Sequence, residues 1–190
     1  MPLTKQSYMP LKADEIEETI HEAIYVALTG RGGPVVIDIP KDIQGQETEE
    51  RYQFDAQAYE PNLQGFFYSP KPNRELVHKA VAMLNQSERP VIISGHGVIM
   101  ANAGRQLRGF AERARIPVAF TLHGLSAIPV DHPLSLGMVG MHGTVEANRA
   151  LLNADLIISF GMRFDDRVTG NLDLFAQDVR VIHVEIDPSE

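Results

Sequence analysis

Apolar residues recur at helical spacing near the start of the chain. Ile16, Ile20, Ala23, Ile24, Ala27 and Leu28 share one face of a helix predicted over 14–28. Asp14 followed three positions later by Glu17 has the form of a capping box at its start, and Gly30, Gly32 and Gly33 stop it. Pro34 then leads into the apolar run 35–39, which Pro40 closes and which reads as a buried strand. One helix and one strand cannot enclose a core. This piece is expected either to dock on the rest of the chain or to be the tail of a domain whose front is absent.

Periodicity is lost over 44–73, a polar, proline-bearing stretch that reads as a connection, with Phe66, Phe67 and Tyr68 able to pin it to a surface. A regular pattern follows. Leu76, Val77, Ala80, Val81 and Leu84 make a helical stripe, and strands are predicted at 90–94, 117–121, 156–160 and 180–186. Helices are predicted at 103–115 and 144–153. Strands alternating with helices imply parallel pairing, so the expected class is α/β with a doubly wound, Rossmann-like parallel sheet. The sequence stops straight after a strand that a closing helix would cover, and both ends are expected to be cut.

Composition narrows the function classes. The 190 residues are 44% apolar and 22% charged, which suits a globular domain, and the net charge of −8 argues against nucleic acid or an anionic membrane as partner. With no cysteine, disulfides, thiolate metal sites and thiol nucleophiles are excluded. Neither a secretory signal nor an apolar stretch of about 20 residues is present, so cytoplasm is the expected compartment.

In open parallel sheets ligands bind at the carboxyl ends of the strands. The predicted strand ends carry Gly95-His96-Gly97, Thr121-Leu122-His123-Gly124, Gly161-Met162-Arg163 and Glu185-Ile186-Asp187. Gly95-His96-Gly97 suits a backbone approach to phosphate, although Met100 stands where a dinucleotide fingerprint has its third glycine, and a plain structural turn explains it as well. Arg163-Phe164-Asp165-Asp166-Arg167 crowds two arginines and two aspartates at one strand end. Arginine forks to a carboxylate or phosphate, and a neighbouring aspartate can fix its orientation; a solvated salt-bridge cluster is the alternative. Glu185 and Asp187 suit ribose hydroxyls or merely start a turn. His123 and His142 lie in strand-end loops without a second ligand at metal spacing, and no G-x-S-x-G elbow exists. The residues alone therefore give a nucleotide site and no identifiable acid, base or nucleophile.

The stretches GRGGPVVIDIPKDIQ, GMVGMHGTVEANRALLNADLIISFGMRFDDRVTG and VIHVEIDPSE resemble the acetolactate synthase large-subunit family of thiamine-diphosphate enzymes, collinearly along nearly the whole chain. The first is shared more loosely among thiamine-diphosphate enzymes; GMHGT with RFDDRVTG is the more specific, and steers away from pyruvate oxidase and glyoxylate carboligase. A non-catalytic nucleotide-binding module is a further alternative. The resemblance implies that residues 1–45 are the last helix and strand of a pyrimidine-binding domain, 46–72 a linker, and 73–190 a central FAD-binding domain lacking its last strand and helix. It implies condensation of pyruvate with a second 2-oxo acid (pyruvate or 2-oxobutyrate) with loss of CO2, for branched-chain amino acids. Thiamine diphosphate and Mg2+ serve the parent, and FAD plays no redox part in the main reaction. The activating glutamate and the diphosphate motif would lie outside this segment, so no catalytic residue and no metal ligand is expected here, and the segment alone is expected to be inactive. The resemblance also implies 2-oxo acid substrates and a homo-oligomer (dimer or tetramer) as the parent, with a regulatory small subunit as a further partner.

By the same resemblance, FAD contacts fall on Arg31, Gly95, His96, Gly97, Thr121, Leu122, His123, Met141, His142, Gly161, Arg163, Asp165, Val168, Glu185 and Ile186. This chain departs from the family at His96, where many members have glycine. Arg167 corresponds to the arginine that meets the carboxylate of the second oxo acid, and Asp166 to a position lining the substrate channel.

Overall fold

The computed structural model describes residues 3–48, 72–171, 175 and 178–187; residues 49–71 of the expected connection, with Phe66, Phe67 and Tyr68, lie outside them. The chain divides into two compact units, Met1–Pro70 and Lys71–Glu190.

The first unit holds more than the expected helix and strand. Strand β1 (Gln6–Tyr8) precedes a single 3-10 turn (Ala13–Glu15), helix α1 (Ile16–Leu28), strand β2 (Val35–Ile37) and the short helix α2 (Lys41–Gln44). β1 and β2 pair in parallel, with Gln6 opposite Val35. Nothing apolar marks Gln6-Ser7 as a strand; the pairing creates it, helped by Lys5 N donating to Pro34 O at 2.8 Å. Lys5 Nζ also donates to the Val26 and Thr29 carbonyls, each at 2.6 Å. These lie at the carboxyl end of α1, where unpaired carbonyls favour a cation. The expected capping box at Asp14 and Glu17 does not form. The residue flanking α1 is Glu15, which makes no side-chain cap, while Asp14 sits in the 3-10 turn and its carboxylate accepts from the Thr48 hydroxyl. β2 ends at Ile37, two residues short of the expected 39.

The second unit is a five-stranded sheet, parallel throughout, in the order β5-β4-β3-β6-β7. Helix α3 (Arg74–Asn85) leads to β3 (Pro90–Ser94), then α4 (His96–Met100), α5 (Gly104–Ala114) and β4 (Val118–Phe120). β5 (Ser135–Met138), α6 (Val145–Asn153), β6 (Leu156–Phe160), α7 (Asp166–Thr169) and β7 (Arg180–Val184) follow. β3 and β6 fall on the expected residues, α5 and α6 lie within a residue of the expected bounds, and α3 carries the predicted stripe from Leu76 to Leu84. β5, α4 and α7 were not expected. The strand foreseen over 180–186 ends at Val184, which leaves Glu185 and Ile186 in the turn beyond it.

Both sheet faces are covered, as a doubly wound fold requires. On one, Ile92, Val118, Phe120, Leu156 and Ile158 pack with Leu107 and Ala111 of α5. On the other, Val91, Ile93, Ala119 and Ile157 pack with Ala147 and Leu151 of α6. The alternation of Val91, Ile92 and Ile93 between the two clusters follows from the two-residue period of a strand. Each fully buried isoleucine or leucine contributes about 1.5–3 kcal/mol relative to exposure.

The amino edge of this sheet is closed by side chains. Asp155, just before β6, accepts from the Ser87 hydroxyl, from Glu88 N at 2.8 Å and from Arg89 N at 3.0 Å. Arg89 Nε returns a bond to Asn153 O at 2.8 Å. The Ser87 hydroxyl, then the Glu88 and Arg89 amides, hold the Asp155 carboxyl down at about 2.

Candidate functional site

The chain runs from β3 outward through β4 to β5, then returns to the other side of β3 with β6. The direction of winding thus reverses between β3 and β6, and the crevice at their carboxyl ends is where such sheets take ligands.

Backbone packing builds this edge. Gly95 N donates to Phe160 O and Gly97 N to Gly161 O, each at 2.9 Å. A Cβ on Gly95 would stand 2.2 Å from Gly161 O and 2.4 Å from Met162 Cβ, and one on Gly97 would stand 2.7 Å from Gly161 Cα. Gly161 itself takes φ +58°, where side chains are disfavoured. Gly95 and Gly97 therefore have a protein-internal reason to be glycine, independent of any ligand. The neighbouring turns are fitted likewise: a Cβ on Gly124 would meet Ser94 O at 2.0 Å, and one on Gly140 would meet Arg167 O at 2.0 Å.

The side chains at this edge are mostly exposed. After β3, His96 places Nδ1 3.2 Å from the carbonyl oxygen of His123, with the two imidazoles edge-on at 5.8 Å. After β4, Thr121 N donates to Ser94 O at 3.0 Å, and Leu122 and His123 are exposed. The loop after β5 exposes Met141 and His142. After β6, Met162 is buried and Arg163 exposed. Beyond β7, Ile186 is exposed and Glu185 partly so; the Glu185 carboxylate accepts from Ile186 N at 2.9 Å. Arg31 belongs to the first unit, exposed in the turn after α1.

The arginine–aspartate cluster resolves into separate parts. Asp165 caps α7, accepting from Arg167 N at 3.1 Å and Val168 N at 3.2 Å. Its role here is to fix the start of the turn that carries Arg167. Arg167 Nε lies 3.6 Å from Asp166 Oδ1, with the side chains 77% and 82% exposed, so water screens this pair and it contributes little to stability. Val168 turns into the core beside Met162 and Val139.

Sequence reasoning passed over several residues that shape this edge. Asn148 of α6 holds both backbone groups of Gly140, accepting from its N at 2.9 Å and donating to its O at 3.0 Å. Nothing in the sequence around Asn148 signals this. Thr144 caps α6 by accepting from Ala147 N at 3.2 Å. His183 Nε2 lies 2.8 Å from Met162 O, tying β7 to the loop after β6. Ser94 Oγ, fully buried at the end of the central strand, has no hydrogen-bond partner among the described residues.

Residues 77–190 match the family model described as "Thiamine pyrophosphate enzyme, central domain". Over its whole length the chain is 46% identical to the probable acetolactate synthase large subunit of Methanocaldococcus jannaschii, covering 32% of that protein. It is 43% identical to the acetolactate synthase large subunit of Corynebacterium glutamicum, again over the whole chain and 30% of the relative. Over 99% of the chain it is 44% identical to acetolactate synthase 1, chloroplastic, of Oryza sativa, covering 28% of it. The chain thus spans about a third of the length of these relatives.

Proposed function

The chain belongs to the thiamine pyrophosphate enzymes, whose central domain its residues 77–190 match, and from that premise we propose that it is the FAD-binding part of an acetolactate synthase large subunit. The parent reaction in this reading joins pyruvate to a second 2-oxo acid with loss of CO2. Thiamine diphosphate, held with Mg2+ by parts of the parent beyond this segment, supplies the carbanion chemistry. The observation that carries the reading is the gathering of the candidate residues of the second unit, all but Arg31, at the carboxyl ends of one parallel sheet, around the reversal between β3 and β6.

The residues there fit a flavin nucleotide in kind. Exposed Arg163 offers a guanidinium to an anionic group, and exposed Leu122 and Met141 offer apolar contact to a flat ring. The fitted glycine turns at 95–97 and 161 hold the ends of β3 and β6 together at the crevice. Arg167 would receive the carboxylate of the second oxo acid, a group its planar fork suits, with Asp166 beside it and Asp165 fixing the turn beneath. Neither role moves a proton or forms a bond to substrate; the segment binds and orients. Assembly as a homo-oligomer, association with a regulatory small subunit and a cytoplasmic setting belong to the same reading. Among the described residues no helix is long and apolar enough to cross a membrane.

Titration of the purified chain with FAD, followed by flavin fluorescence, tests the proposal. Micromolar binding is expected, weakened at least about tenfold, or about 1.4 kcal/mol, by Arg163→Ala. A folded chain that leaves FAD fluorescence unchanged at saturating concentration would contradict it.

A further inference from the structure

We propose that His96 is a specificity-determining residue of the carboxyl edge, presenting its Nε2 as a hydrogen-bond acceptor to a hydroxyl or N–H group of the bound nucleotide. This rests on the reading of that edge as the FAD site. Position 96 lies between two glycines whose Cβ atoms would collide with Gly161 and Met162. Its own side chain is exposed and reaches the turn after β4. A carbonyl oxygen only accepts, so the Nδ1 that faces His123 O at 3.2 Å carries the ring proton. In the neutral imidazole Nε2 is then a bare lone pair. Among the described residues it meets no hydrogen-bond partner. The His123 ring stands edge-on to the His96 imidazole at 5.8 Å and 66°.

The chemistry of the ligand group follows from the tautomer. Phosphate oxygens only accept and are poor partners for such a nitrogen. Ribityl or ribose hydroxyls, the ring N–H of the flavin and the adenine amino group donate and are good ones. A glycine at the same place would offer no side-chain acceptor, so His96 adds one beside the turn after β4.

Two measurements on the full chain test this. The first is the imidazole tautomer of ligand-free His96 by 15N NMR at neutral pH, which needs no variant; the Nδ1–H form is expected. The second is FAD titration of H96F and H96Q, with circular dichroism as the check on folding. H96F is expected to weaken FAD binding about fivefold, the loss of one neutral hydrogen bond. H96Q, whose amide oxygen reaches a similar place, is expected to recover most of that loss. An Nε2–H tautomer, or a folded H96F chain with wild-type affinity, overturns the inference while the FAD site stands. Failure of the wild-type chain to bind FAD overturns the site reading and this inference with it.

Discussion

The two edges of the five-stranded sheet are held together by different means. At the amino edge, side chains do the holding: Asp155 gathers Ser87, Glu88 and Arg89, and Arg89 reaches back to Asn153. At the carboxyl edge, backbone packs on backbone through Gly95, Gly97, Gly161, Gly124 and Gly140, with Asn148 and His183 adding bonds to Gly140 and Met162. Side chains such as Leu122, His123, Met141 and Arg167 are left facing solvent. A sheet edge joined through glycines can stay rigid while its side chains remain available for a ligand. One joined through carboxylates and guanidinium groups has already committed its polar chemistry.

Substitutions that add atoms should therefore break the carboxyl edge most severely. Gly95→Ala, with its Cβ 2.2 Å from Gly161 O, is expected to lower stability by about 3 kcal/mol in chemical denaturation. At the amino edge the sensitive quantity is charge. The Asp155 pKa, held at about 2, lies below its ordinary 3.8, so its contribution is full above that ordinary value and is lost as pH falls toward 2. Asp155→Asn should thus be less stable than wild type at neutral pH, and the gap should close between about pH 4 and pH 2. Denaturation at a series of acid pH values checks this; a gap independent of pH would mean that the carboxylate charge is not what closes the edge.

Smaller effects sharpen the contrast within the loop after β6. Asp165→Ala removes the cap of α7 and is expected to cost about 1 kcal/mol. Arg167→Ala, on an exposed side chain, should change the melting free energy by less than about 0.5 kcal/mol. Near-equal losses from the two substitutions would show that Asp165 and Arg167 are not divided between support and ligand as described.

The legible parts of this fold were those whose burial is two-sided. β3 and β6 are the strands on either side of the winding reversal, and their apolar runs at 90–94 and 156–160 mark them residue by residue. β5 went unseen because Ser135–Met138 is an edge strand of four residues, each only partly buried, with Gly137 at positive φ. β1 was invisible for the same physical reason: its strand character lies in its pairing with β2. The strand ends were legible as a set, since alternation of strand and helix already orders them on one edge. The roles within that set were not. Sequence places Asp165, Asp166 and Arg167 side by side, and only geometry separates the capping carboxylate from the loosely paired one. Asn148 was hidden in a helix, and the need for glycine at 95 and 97 came from a chain segment more than sixty residues away.

Hydrogen–deuterium exchange of the chain with and without FAD bears most directly on the division of labour between the two edges. The account predicts slower exchange on FAD addition in the turns at 95–98, 122–125 and 161–168, and no change at 86–89 and 153–155. Protection confined to the amino edge, or spread equally over both, would contradict it.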